Sequence, residues 1–445
     1  MKQYIISLLI VSLAIAQTFD VNNSDLKMIV TLHRHGARIP SSNALNLKDK
    51  APNSGELSVV GQRQLFYLGQ ILKKEYIDGA KLLSAKYDAS EIYYRSTDFN
   101  RTIMSAQCLL AGLYPAQSGD QIPDDILTNR QDLLNINFKL RDSSTVPQIT
   151  EKYPVQNGYQ SIPIHVVERP RDKILLGYGD TCPQEEIWNP ENQKSDEWKR
   201  ITQEFQPQIN KFAKIFNLDV STLDLFTVYN YMDIIIAQQY QNMPLPADYT
   251  NDAQLQEDME VLYNLRIHLS LYKTPLQKKT TVTPFLNNLV QVLSDKVSNP
   301  KNNQKGYFLS AHDTTVNMVL QGLNLTSWEC IEQTYMKTLP AGTFCNYKPT
   351  RYGANLIVEL RQDKTSSKNF IMIRYNGEYQ KICDQTTQYC DLDEFKNRVA
   401  NFVVPNYDEI CGLTSTTSSN EKSAYSSSNY LKYSIIAVII SAFLL

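Results

Sequence analysis

The sequence predicts an α/β fold: a mixed central sheet flanked by helices, with a smaller, mostly helical domain inserted into it. Three observations predict this. Short β-branched and apolar runs alternate with amphipathic helical spacing over residues 17–130 and again over 284–412, the pattern of a sheet covered by helices. The stretch 131–283 between them carries long helical patterns, many Gln, Asn and Tyr, and few strand signals. Three polar motifs sit just past predicted strand ends, where ligands bind in open α/β sheets.

Taken in order, Lys27 to His33 (KMIVTLH) is a short β-branched run and reads as a buried strand. Leu57 to Tyr76 has apolar residues at Leu65, Leu68, Ile71 and Leu72, the spacing of an amphipathic helix. Glu91 to Tyr94 is a second short strand. Ser96, Thr97 and Asp98 offer a helix start, and Thr102 to Leu113 continues as helix. In the insert, Trp198 to Phe216 and Leu255 to Tyr272 are helix candidates. Gly306 to Ser310 returns to strand and Thr314 to Leu323 to helix. Ala354 to Arg361, Phe370 to Tyr375 and Glu378 to Ile382 are strands, and Asn376-Gly377 is a type I′ hairpin turn.

The ends carry their own signals. Lys2, an apolar run from Tyr4 to Ile15 and the small-x-small site Ala14-Ile15-Ala16 read as a signal peptide over 1–16. Residues 413–429 are a Ser- and Thr-rich spacer, and 430–445 an apolar segment shorter than the roughly 20 residues that span a bilayer. A small-residue site at Ser418, Ser419 or Ser423 with such a spacer and tail makes a lipid-anchor signal; a short spanning helix from Tyr430 is the alternative. Both attach the chain to a membrane with its folded part outside the cytosol. Of the seven cysteines, Cys182, Cys330, Cys345, Cys383, Cys390 and Cys411 read as disulfide formers. Cys108, in an apolar helical run, reads as the free thiol. Neither a CxxC pair nor Cys-His zinc spacing occurs, so no metal site is expected. Sequons at Asn22 and Asn324 are expected glycan sites, whereas the one at Asn100 is expected in the pocket, where a glycan does not fit. A net charge of −2 supplies no global positive field for nucleic acid. An anion site must therefore come from a local cluster of basic residues.

The three motifs supply that cluster. In Arg34-His35-Gly36-Ala37-Arg38-Ile39-Pro40, two guanidinium forks suited to phosphate oxygens flank an imidazole that can attack phosphorus. Its other ring nitrogen would be held by a backbone carbonyl, and Gly36 would let the chain bend after the strand. A lone Arg-His pair would carry no information; RHGxRxP after a strand does. In Arg95-Ser96-Thr97-Asp98-Phe99-Asn100-Arg101-Thr102, Arg101 opens a helix whose N-terminus favours an anion, its bland alternative being an ion pair with Asp98. In Ser310-Ala311-His312-Asp313-Thr314-Thr315, His312 can donate to a phosphate oxygen. Asp313 can serve as the acid at a leaving-group oxygen, as a helix cap, or as both.

RHGARIP, RSTDFNRT and SAHDTTV, in that order, resemble the signatures of the histidine acid phosphatases, a branch of the histidine phosphatase superfamily, and most closely the lysosomal and prostatic type. The resemblance covers roughly Leu26 to Cys411, with lesser matches at Leu57 to Gly61 and Ile162 to His165. It implies a histidine phosphatase-like fold and an acid phosphatase acting through phosphohistidine. His35 would be the nucleophile and Asp313 the proton donor, with Arg34, Arg38, Arg101 and His312 forming the phosphate pocket. It also implies the disulfides Cys182–Cys411, Cys330–Cys345 and Cys383–Cys390, no metal or other cofactor, a small phosphomonoester substrate, and a homodimer as a possible assembly. A phytase-like or lysophosphatidate phosphatase of the same superfamily is the alternative. The implied location is the secretory pathway: extracellular, cell-surface or lysosomal. The low similarity through the insert leaves the substrate open.

Overall fold

Lys27 to His33 lies within an 11-residue strand, β1 (Ser24–Arg34), at the centre of a mixed sheet. The computed structural model describes residues 19–413 apart from 41–53, 137–139, 143, 145–150, 178 and 385. The expected signal peptide and C-terminal anchor therefore lie outside the described residues. Among those described, no helix is long and apolar enough to cross a membrane. The other strands are β2 (Ile92–Thr97), β3 (His165–Val167), β4 (Gly306–Ala311), β5 (Asn355–Asp363), β6 (Asn369–Tyr375), β7 (Glu378–Tyr379) and β8 (Cys390–Asp391). Their order is β3-β2-β4-β1-β5-β6-β7, with β8 paired to β6. The strands β1 to β4 run parallel, and β5 to β8 complete the sheet by antiparallel pairing.

The period of two along β1 divides the core. Met28, Val30 and Leu32 enter one cluster with Phe285, Val316, Val358 and residues of the insert such as Leu262. Ile29 enters another, with Leu65, Tyr94, Leu109 and Phe308, beneath the helices Val59–Leu72 and Asn100–Leu113. Each such buried aliphatic side chain contributes about 1.5–3 kcal/mol. The insert helices thus share a core with one face of the sheet. Among them are Leu225–Tyr240 and Ala253–Leu271, which carry residues of the site described below.

Several elements differ from expectation for local reasons. Trp198 to Phe216 is two helices, Asp196–Glu204 and Gln206–Phe216, separated at the buried Phe205. Pro207 lies in the first turn of the second, where its missing N–H costs nothing. The stretch read as mostly helical also supplies the edge strand β3, and the helix Pro275–Ser298 runs across residues 283 and 284 with Pro284 inside it. Glu378 to Ile382 shortens to Glu378–Tyr379. The hairpin turn before it is of type I′, with positive φ at both Asn376 (49°) and Gly377 (90°). The bonds Cys182–Cys411, Cys330–Cys345 and Cys383–Cys390 are formed, and Cys108 is a half-buried free thiol.

Candidate active site

The register brings the three motifs together. His33 lies opposite Ser310 and Arg34 opposite Ala311, while Ser96 lies opposite Ser310 on the other side of β4. The carboxyl ends of β1, β2 and β4 therefore release His35, Phe99 and His312 at one edge of the sheet. His35 is fixed by its backbone, donating its N–H to Ala311 O at 2.9 Å and accepting from Gly353 N at 3.1 Å. Its Nδ1 meets Gly36 O at 2.8 Å, which places the ring proton there and leaves the Nε2 lone pair open. Arg101 Nε donates to that lone pair at 3.2 Å. Burial, then the charges of Arg34 and Arg101, hold the imidazole well below its ordinary pKa.

Arg34 is almost wholly buried. It donates to Thr350 O, pairs with Asp313 Oδ2 at 2.9 Å, and lies 4.3 Å from the centre of the Tyr352 ring. Arg38 pairs with Asp233 Oδ2 and donates to Ile39 O at 3.3 Å. Arg101 also reaches His312 Nδ1, at 3.4 Å. His312 Nε2 contacts Thr97 Oγ1 at 3.0 Å, and Thr97 in turn donates to Thr102 Oγ1. Burial and Arg101 lower the His312 pKa to about 3. Asp313 begins the helix Asp313–Gly322. Its Oδ1 accepts from Thr314 N at 2.8 Å, and its Oδ2 accepts from Arg34 and from the Tyr263 hydroxyl at 3.3 Å. Burial raises its pKa, but Arg34, His312 and the Thr314 N–H together outweigh burial, and the carboxyl ends below its ordinary value. Ion pairs and hydrogen bonds thus join Arg34 to Asp313 and Arg101 to His35 and His312, while Arg38 is tied to Asp233.

Three local expectations are corrected. Gly36 is not in the positive-φ region. It is needed for close approach: a Cβ there would lie 2.3 Å from Gly61 O, and one on Gly61 would lie 2.1 Å from Ala37 O. Ser96, Thr97 and Asp98 do not cap the helix Asn100–Leu113; β2 continues through Thr97 and the cap residue is Phe99, without a side-chain bond. Asn100 is exposed at the pocket's outside, its amide donating to Glu56 Oε1 at 3.0 Å. Arg101 pairs with His35 and His312 rather than with Asp98.

Sequence reasoning missed the residues that the helical region contributes. Asp233, on Leu225–Tyr240, binds Arg38, and Tyr263, on Ala253–Leu271, binds Asp313. Tyr229 stacks on Tyr263 with centroids 4.7 Å apart, and Arg266 lies over Tyr229 at 4.2 Å. Tyr352, in the loop before β5, was also missed, although its ring borders both His35 and Arg34. None of these stands in a motif, and each is far in sequence from the group it contacts in the pocket or beside it.

A buried imidazole beside the guanidinium groups of Arg34 and Arg101 is an arrangement suited to an anionic group. The family model of the histidine phosphatase superfamily (branch 2) matches residues 25–376, and the chain belongs to that superfamily. Among its relatives, a putative acid phosphatase 5 of Caenorhabditis elegans is 26% identical over 88% of this chain and 80% of its own. A lysosomal acid phosphatase of Xenopus laevis is 26% identical over 92% of this chain and 84% of its own. In fold, the chain is similar to the phytase of Hafnia alvei in its apo form, with a TM-score of 0.58 and 16% identity over 88% of this chain and 99% of that one.

Proposed function

We propose that the protein is an acid phosphatase, hydrolysing phosphate monoesters through a phosphohistidine on His35. One observation carries this reading: a buried imidazole with Nδ1 held by Gly36 O and with Nε2 turned toward Arg101 and His312. Phosphate oxygens would take over the guanidinium groups of Arg34, Arg38 and Arg101, offsetting the charge that repels a nucleophile. Nε2 attacks phosphorus in line as the bond to the alcohol oxygen breaks, and Asp313 gives that oxygen a proton. Water then attacks the phosphohistidine, the Asp313 carboxylate takes its proton, and the imidazole leaves neutral. For His312 to donate to phosphate through Nδ1, the Thr97 hydroxyl must turn to donate to Nε2, a rotation its contacts with both His312 and Thr102 allow.

The pH dependence follows from the same contacts. His35 stays neutral in acid because burial and the flanking cations disfavour imidazolium. Asp313 is ionised in the free enzyme while it faces Arg34. A phosphate dianion occupying Arg34 removes that stabilisation and raises the proton affinity of Asp313. A monoester also retains a proton of its own below about pH 6. Activity is therefore expected in mild acid and lost as pH rises. The disulfides fit an oxidising compartment, and exposed Asn22 and Asn324 are accessible for glycans, which supports entry to the secretory pathway.

Hydrolysis of p-nitrophenyl phosphate across pH, by wild type and His35→Ala, tests the reading. The wild type should form an acid-labile phosphoryl adduct during turnover. The variant should form none and lose at least about 10⁴-fold in kcat; a fully active His35→Ala enzyme would sink the mechanism. A panel of phytate, phosphotyrosine, small esters and lysophosphatidate would separate the substrate classes that such a pocket admits.

A further inference from the structure

We propose that Arg169 is a second anion contact of this pocket, receiving a phosphate or carboxylate carried by the alcohol part of the substrate. This rests on the phosphatase reading and narrows its substrate class to phosphomonoesters with a second anionic group. The strand β3 runs parallel to β2, with Val167 opposite Thr97, so Arg169 leaves the sheet at the same end as Phe99. The Arg169 guanidinium lies 3.8 Å from the centre of the Phe99 ring. The same ring meets His312 edge-on at 4.7 Å and lies 4.7 Å from the Arg101 guanidinium. The exposed cation is thus about one aromatic ring away from the phosphate pocket. It is close enough that its charge helps to lower the His312 pKa.

Three features mark it as placed rather than incidental. Its Nε donates to Asp98 O at 2.7 Å, which with the ring contact fixes the plane of the guanidinium while other donors face solvent. The chain beneath it is anchored: Asp172 N bonds Arg169 O at 3.2 Å, and the fully buried Asp172 carboxylate is paired with buried Arg95 and accepts from Leu175 N at 3.0 Å. Among the described residues, no carboxylate lies within ion-pair distance of Arg169, although neighbouring Glu168 pairs with Arg171 at 3.7 Å. Arg34 and Arg38, by contrast, are each paired with an aspartate. Among the described residues, Arg169 therefore offers an oriented fork without a carboxylate partner, suited to an anion on a substrate.

The test compares fructose 1,6-bisphosphate with fructose 6-phosphate and p-nitrophenyl phosphate, using wild type, Arg169→Ala and Arg169→Lys. The wild type should prefer the bisphosphate in kcat/KM. Arg169→Ala should lower the ratio of bisphosphate to monophosphate kcat/KM about five- to tenfold, through KM, as expected for a charge-assisted contact discounted for exposure. Arg169→Lys should restore part of the ratio, and added salt should erode the wild-type preference. A ratio unchanged by Arg169→Ala would overturn the subsite. So would an equal loss on all three substrates, which would make Arg169 a prop for Phe99. A wild type inactive on every substrate would instead remove the phosphatase reading, and the subsite with it.

Discussion

The pocket has two walls of different origin. The sheet wall (Arg34, His35, Arg38, Arg101, His312 and Asp313) comes from three short segments at the ends of adjacent strands, and the covalent chain itself sets the spacing within each segment. The helical wall (Asp233, Tyr263 and Tyr229) comes from two insert helices distant in sequence, which meet the sheet wall through an ion pair and a hydrogen bond. In the proposed mechanism the sheet wall holds the groups that exchange bonds and protons. The helical wall holds groups that contact them: an acid on Arg38 and a hydroxyl on Asp313. That mechanism assigns chemistry and its adjustment to separate parts of the fold.

The division can be broken by substitution on either side. After the nucleophile itself, the largest loss is expected at the proton donor. Asp313→Asn should lower kcat by about 10²–10⁴-fold on alkyl phosphates. The loss should be clearly smaller on p-nitrophenyl phosphate, whose alcohol departs without a proton. Equal losses on the two esters would remove Asp313 from the proton path. On the helical wall, Asp233→Asn should act on binding rather than chemistry. With the carboxylate gone from Arg38, inorganic phosphate should inhibit about threefold more tightly, and the melting temperature should fall because a buried cation loses its partner. An inhibition constant that does not move would show that Asp233 does not compete for Arg38.

The smallest effect lies farther from the pocket. Glu185, on the insert helix Gln184–Asn192, is buried with neither carboxylate oxygen hydrogen-bonded, and burial raises its pKa from 4.5 to about 8. A raised folded-state value means that the native protein binds the extra proton. The stabilising contribution is complete below pH 4.5 and is lost as pH rises through 8, on the order of a few kcal/mol in all. Melting temperatures measured from pH 5 to 8 should fall for wild type and fall much less for Glu185→Gln. Parallel slopes would show that Glu185 is not the group responsible.

Most of the sheet wall was legible because its residues are neighbours in sequence and follow strands that the β-branched run of β1 and the aromatic and apolar run of β4 announce. Its tautomer was legible too, since a His at a strand end has its own backbone carbonyls within reach. The dominant cause of His35 neutrality was less so: the flanking arginines are visible in the sequence, but burial, the larger cause, is a property of the folded core. Gly36 illustrates the same limit. Its presence was evident, but its reason lies in Gly61, which faces it only after the helix Val59–Leu72 has docked. Asp233 and Tyr263 were illegible because neither stands in a local motif that sets it apart from the other polar and aromatic residues of its helix, and its partner lies 195 or 50 residues away.

The Gly36–Gly61 contact belongs to a neck in the chain. Beside it, Arg38 and Leu57 form an antiparallel bridge, Ile39 N bonds Glu56 O at 2.9 Å, Gly55 N bonds Ile39 O at 3.1 Å, and Ser54 Oγ bonds Pro40 O at 3.0 Å. The polypeptide thus departs from the pocket rim and comes back to it at one place, tied off by its own backbone. For evolution or for an engineer, this separates two kinds of change. One leaves the main-chain ties at Arg38, Ile39 and Gly55 intact, and the other removes the glycine contact beside them. Side chains along the neck can therefore vary while its main-chain ties hold Arg38 in place, whereas positions 36 and 61 admit nothing larger than glycine.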